Sequence, residues 1–332
     1  MTDNPCNPIL DYGPDPFATF HDGWYYVLVS EHVQVGLRRT RDLRHLSNAE
    51  HRVVYSPGAD PRCVRDLWAP EIHRIAGRWH IYFAATIAGV DEGVVDRARR
   101  LFVLACEGDD PFADTWRYLG PLRLPESRYA IDATVIHDGD IDYCVWSSKR
   151  DLRGGWWQHL MISRLVTPVE LDGREVVISQ PELEWECDLQ PTNEGPQVLY
   201  HGDDIWLAYS ASAFWSPCYC LGFLCAKRGS DLLDPFSWTK LSQPFFSQSR
   251  ANGVYGPGHN SFVTSPDGSE DWILYHARRV PRDGFGDSRS TRMQRFGWDE
   301  AGLPLLGEPV AVDVAIPCPS GTADLAGCSG LP

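Results

Sequence analysis

Three acidic residues stand in short motifs far apart along the chain. Asp15 lies in Gly-Pro-Asp-Pro-Phe, Asp132 in Ala-Ile-Asp-Ala-Thr-Val and Glu194 in Thr-Asn-Glu-Gly-Pro. Each is next to an apolar, Gly or Pro residue and precedes an apolar or aromatic run with strand character. A carboxyl in that setting is poorly solvated unless it faces a polar cavity. Three such acids meet only if the fold gathers the starts of distant strands. Two carboxyls held across a cavity are what hydrolysis of a glycosidic bond needs: one protonates the departing oxygen and the other activates water. For an inverting pair they stand roughly 6.5–9.5 Å apart, leaving room for that water.

The elements that must position these acids are strands. The chain reads as short runs of aromatic and β-branched residues broken by Gly, Asp, Asn and Pro, with almost no helical signal. Hairpin turns are visible at 21–23, 76–77, 138–140, 201–204 and 266–268, each followed by a run such as WYYVLVS or IWLAYSAS. The units open near Asp15, Trp68, Asp132, Glu194 and Gly258, so each runs about 50–65 residues. Five units of several strands predict an all-β, five-bladed β-propeller. Radial closure protects the strand edges that an open sheet would leave bare. The first strand of each blade lines the axis, which brings Asp15, Asp132 and Glu194 around one funnel. A single domain is expected over residues 1–332. Thr167 to Gln190 reads as a long polar connection, 281–291 as a Gly- and charge-rich loop, and the tail after about Val314 as loosely packed.

Bulk composition narrows the partner. The 332 residues are 43% hydrophobic, enough for a large core, and carry a formal net charge of -15. So acidic a surface repels phosphate backbones and anionic lipids, which argues against nucleic acid and membrane partners and suits a neutral substrate. No apolar stretch approaches the roughly 18–20 residues of a membrane span. The segment MTDNPCNPILDYG has neither the basic region nor the apolar core of a secretory signal, so a cytoplasmic protein is expected, or a secreted one whose signal has been removed. Of the ten cysteines, several sit inside apparent strands as small apolar residues, and Cys218 and Cys220 would point to opposite faces. Cys318 and Cys328 are a candidate pair in an oxidising compartment.

The motifs LWAPEIHRIAGRWHIYFAA, AIDATVI, NEGPQVLY, GVYGPGHNSF, SPDGSEDWILYHA and RSTRMQRFGW together resemble glycoside hydrolase family 43, and within it the exo-acting α-1,5-L-arabinofuranosidases. The resemblance spans roughly residues 5 to 312 and implies an inverting propeller enzyme releasing L-arabinofuranose from α-1,5-linked arabinan or arabino-oligosaccharides. It implies Asp15 as general base, Glu194 as general acid and Asp132 as the acid that tunes and holds Glu194. It further implies that Trp68 walls the terminal sugar pocket and that Arg292 contacts sugar hydroxyls. His259 would support a hydrated calcium or other cation on the axis, the chemistry itself requiring no cofactor. The expected partner is a neutral pentose-containing oligosaccharide or polysaccharide. A β-xylosidase or endo-arabinanase on the same scaffold, or a silent glycan-binding propeller, are the alternatives. Two stretches depart from the pattern: SEHVQVGLRR, and KRDLRGGWWQHL with adjacent Trp156 and Trp157, of which one is expected to pack and the other to be exposed as a sugar platform.

Overall fold

The computed structural model of the chain describes residues 5–58, 60, 62–63, 65–88, 98–124, 129–150, 157–282 and 288–327. Its strands form five antiparallel sheets. Blade 1 holds β1 (Phe17–His21), β2 (Trp24–Leu28), β3 (Val35–Thr40) and β4 (Glu50–Tyr55). Blade 2 holds β5 (Arg65–Ile75), β6 (Arg78–Thr86), β7 (Arg99–Cys106) and β8 (Trp116–Pro121). In blade 3, β9 (Ala130–Asp138), β10 (Ile141–Arg150) and β11 (Trp157–Thr167) are flanked by β12 (Glu170–Leu171) and β13 (Val176–Ser179), which both pair with β11. Blade 4 runs β14 (Asn193–His201), β15 (Asp204–Ala211), β16 (Cys220–Lys227) and β17 (Thr239–Lys240). Blade 5 runs β18 (Tyr255–Thr264), β19 (Asp271–Arg278), β20 (Ser290–Trp298) and β21 (Pro304–Leu305).

Two-residue turns close four of the five inner hairpins. The pairs His21↔Trp24, Ile75↔Arg78, Asp138↔Ile141 and His201↔Asp204 leave two residues between them. Asp22–Gly23 and Ala76–Gly77 have positive φ at both turn residues, the combination whose twist matches that of the flanking strands.

The inner strands β1, β5, β9, β14 and β18 touch in a closed ring. Apolar clusters fill the spaces between successive blades. Phe17 and Leu37 meet Ile81 and Phe102; Tyr82 meets Ile131 and Trp146; Val145 meets Leu207 and Leu224. Phe223 meets Tyr275, and Leu274 and Met293 meet Tyr25 and Val27. Each sheet therefore buries both faces, which explains why its strands read as continuous apolar runs rather than strict alternation. Closure is fastened by the N-terminal segment. The Asn7 side chain donates to the Met293 carbonyl and accepts from its amide, both at 2.9 Å, and Leu10 bridges Thr291.

Two expectations shift. The connection 167–190 is not wholly loop, because Val176–Ser179 supplies an outer strand of blade 3. The tail is seated up to its short helix (Thr322–Gly327): Ile316 is buried and donates its amide to the Pro5 carbonyl, and the Ser320 amide donates to Glu270. No helix among the described residues is long and apolar enough to cross a membrane.

Candidate active site

One feature recurs at the head of every inner strand. Asp15, Ala69, Asp132, Gly195 and His259 occupy matching places in blades 1 to 5, and all have positive φ, between 43° and 57°. Around four of them the pairing with the second strand slips. Bulges of this kind re-aim side chains. For the four that are not glycine, the left-handed backbone costs on the order of 1–3 kcal/mol each and persists only where the surroundings enforce it. The result is a ring of strand heads that turn their side chains to the axis. At Gly195 an added Cβ would lie 3.1 Å from the His259 ring, so a side chain there would press on the histidine.

Asp15, Asp132 and Glu194 line one cavity of about 460 Å³, together with His32, Trp68, Tyr129, Lys149, Gln158, Trp215, His259 and Arg289. Asp15 is set up as a carboxylate. Its Oδ1 accepts from Arg289 Nη1 at 2.9 Å and its Oδ2 from the Ser30 hydroxyl at 2.6 Å. Ser30 in turn accepts the Ala69 amide at 2.7 Å, tying the group to blade 2. The Nδ1 atoms of His259 and His276 each lie 3.3 Å from Oδ1. Burial alone would raise this carboxyl, but the Arg289 guanidinium, with the two histidines behind it, holds it well below the usual carboxylate range. Burial pushes His276 itself down to about 3.

Glu194 has the opposite setting. Burial raises its carboxyl and the charge of Asp15 adds to the rise. The Tyr219 hydroxyl and Gln158 Nε2, each donating at 2.7 Å, offset only part of it. Asp132 is raised well above the ordinary value by burial first, then by the charges of Glu194 and Asp15. Its Oδ2 accepts the Gly195 amide at 3.0 Å, so it grips the backbone next to Glu194. Surroundings that favour the ionised form of Asp15 and the protonated form of Glu194 in the same cavity divide base from acid.

The sequence profile described as Glycosyl hydrolases family 43 matches residues 5–304. The chain belongs to this family. It is 38% identical over 313 residues to an extracellular exo-α-(1→5)-L-arabinofuranosidase of Streptomyces avermitilis, covering 92% of this chain and 63% of that protein. It is 36% identical over 279 residues to the protein of the same name from Streptomyces chartreusis, covering 82% of each. Among solved structures, the α-L-arabinofuranosidase from Lactobacillus brevis superposes with a TM-score of 0.87 at 33% identity, covering 93% of this chain and 98% of that one. The chain thus spans less than two thirds of the length of the Streptomyces avermitilis relative.

Within this family-43 propeller, the expected site residues fall as follows. The three acids, Trp68 and His259 line the cavity. Trp68 donates its indole N–H to His32 Nδ1 at 3.0 Å, and Arg99 covers one ring face at 3.5 Å. Arg292 is not among the lining residues. It is fully buried on β20, where its Nε donates to the Ser290 hydroxyl at 3.3 Å. Arg289, three residues earlier, holds Asp15 instead. Strand side chains alternate between faces, so two arginines at an odd spacing point opposite ways. The resemblance implied Arg292, and a reading of 281–291 as loop gives Arg289 no place. Trp156 lies outside the described residues, and Trp157 is half-buried at the start of β11.

The cation expected at His259 is a hydrated one, reached through water rather than held by a set of protein ligands. Calcium takes six to eight oxygen ligands. His259 supplies one imidazole, and among the described residues no three His, Cys, Asp or Glu side chains converge as a ligand group.

Replacing Arg289 by Met should move the acidic limb of kcat/KM. The guanidinium favours ionised Asp15, so its loss raises that carboxyl. The limb should then shift upward by roughly one pH unit or more. A pH–rate profile of the variant checks this; an unmoved acidic limb would dissociate Arg289 from the base.

Proposed function

We propose that the protein is an inverting exo-acting α-L-arabinofuranosidase that releases L-arabinofuranose from α-1,5-linked arabinan or arabino-oligosaccharides. The observation that carries this reading is the opposed setting of Asp15 and Glu194 in one cavity. Asp15, ionised against Arg289, takes a proton from water as that water attacks the anomeric carbon. Glu194, kept protonated by burial, gives its proton to the oxygen of the departing sugar. Asp132 positions Glu194 through the Gly195 amide. The attack and the departure occur on opposite faces, so configuration inverts. The two Streptomyces relatives and the Lactobacillus brevis structure support the pentose and the furanose form. The exo mode is supported by the names of the Streptomyces relatives.

The direct test is digestion of linear arabinan by the purified protein. Free arabinose as the sole early product is expected, and the Asp15→Asn variant should release it at least about 10³-fold more slowly. A ladder of oligomers would indicate an endo-acting enzyme, and release of xylose with no arabinose would overturn the substrate assignment.

No step of this chemistry passes through a metal. Prolonged treatment with EDTA, followed by gel filtration into metal-free buffer, should leave kcat/KM within about twofold; general acid–base catalysis by the two carboxyls would then be sufficient. Loss of activity that calcium restores would give the axial cation a working role at His259.

A further inference from the structure

The base of the hairpin joining β10 and β11 opens onto the cavity. Lys149 on β10 and Gln158 on β11 are directly opposed across the two strands. Directly opposed residues project from the same face of a sheet, and both line the cavity. Gln158 Nε2 donates to Glu194 Oε2 at 2.7 Å. Lys149 Nζ lies 4.5 Å from the centre of the Tyr129 ring, which lines the same wall.

This register is fixed on both sides. The Ser147 hydroxyl donates to the Asn193 carbonyl at 2.8 Å, one residue before Glu194. The Ser148 hydroxyl donates to the Tyr129 carbonyl at 2.7 Å. The Gln158 amide donates to the Pro191 carbonyl at 3.3 Å. A buried strand end so tethered cannot slip without moving Glu194.

The cations of the cavity are thereby divided. Arg289 attends Asp15, while Lys149 stands on the wall of Glu194. In an inverting reaction the water enters beside the base and the leaving group departs beside the acid. Donors placed around Glu194 therefore meet the departing sugar, not the one being attacked.

We propose that Lys149 is a specificity-determining residue of the leaving-group subsite, where its ammonium, seated on Tyr129 and opposite Gln158, binds a hydroxyl of the departing sugar while Glu194 protonates the glycosidic oxygen. The proposal rests on the hydrolase reading above. The ligand class is a leaving group that carries hydroxyls within reach of the cation, which a sugar does and a nitrophenol does not.

The position has a second consequence. The groups that act on Glu194 are Asp15 ahead of β1, Asp132 on β9, Lys149 on β10, Gln158 on β11 and Tyr219 ahead of β16. Burial is the largest influence and raises the carboxyl, whereas Lys149 is the cation that opposes the rise. Removing it should keep Glu194 protonated to higher pH.

The experiment measures kcat/KM of wild type, Lys149→Met and Lys149→Gln on α-1,5-arabinobiose and on 4-nitrophenyl α-L-arabinofuranoside across pH. Loss of a hydrogen bond to a charged group should lower the value for arabinobiose by about 10–100-fold. The aryl substrate, which offers no such hydroxyl, should fall by less than about threefold, since only the indirect influence on Glu194 remains. The basic limb for arabinobiose should move upward by several tenths of a pH unit. Where Lys149→Met fails to give a cooperative thermal transition, Lys149→Gln decides the question. Equal losses on both substrates, or wild-type values on both, would overturn the subsite assignment while leaving the hydrolase reading in place. Wild-type protein inert on both substrates would instead overturn the hydrolase reading itself.

Discussion

Glu194→Gln protein should lose turnover of arabinobiose by about 10²–10⁴-fold, while keeping within about tenfold of wild type on 4-nitrophenyl α-L-arabinofuranoside. A general acid contributes most when the departing oxygen is a poor leaving group, as a sugar hydroxyl is. It contributes least when that oxygen leaves readily as a phenolate. The pH profile should change with it. In wild type the basic limb of kcat/KM follows deprotonation of Glu194, whose carboxyl burial has raised. With the aryl substrate the variant has no such proton to lose, so its basic limb should vanish. The amide keeps the shape of the carboxyl, but Tyr219 and Gln158 both donate to Glu194, so one of them must turn to accept from the new NH₂. An equal loss on both substrates would take Glu194 out of the acid role.

Asp15→Asn should act differently. Water must be activated whatever leaves, so both substrates should suffer alike, by about 10³–10⁴-fold. The acidic limb should disappear, because that limb follows protonation of a carboxyl that Arg289 holds well below the usual range. Only one of Ser30 and Arg289 then meets the amide oxygen, and the other faces an NH₂. A small drop in melting temperature is therefore expected beside the kinetic loss. Asp15→Asn activity that recovered as the leaving group improved would exchange the assignments of Asp15 and Glu194.

These two residues were legible in the sequence for a physical reason. A carboxyl next to an apolar residue, Gly or Pro at the head of an apolar strand has little to solvate it, and the repeat brought three such carboxyls to one place. The inner hairpins were legible because Gly23, Gly77, Gly139 and Gly202 mark the turns in which a left-handed residue is required. Other features leave no comparable mark. Ala69 shares the left-handed backbone of Asp15 and Asp132, yet alanine does not advertise that conformation. The strand at Val176–Ser179 is too short for its pattern to stand out from the polar connection around it. Arg289 and Arg292 could be told apart only by the phase of β20, which depends on where the preceding loop ends. Lys149 and Gln158 are nine residues apart, and nothing but the hairpin register makes them partners at Glu194.

Hydrolysis is expected to be a single displacement by water, with Asp15 as base and Glu194 as acid. That course is tested most directly by the anomeric form of the first product. Proton NMR of α-1,5-arabinobiose during the first minutes of hydrolysis should show β-L-arabinofuranose appearing ahead of the mutarotated mixture, since inversion converts an α linkage to a β product. First appearance of the α-anomer would mean retention through a covalent intermediate and would contradict the assignment of Asp15 as a base acting on water.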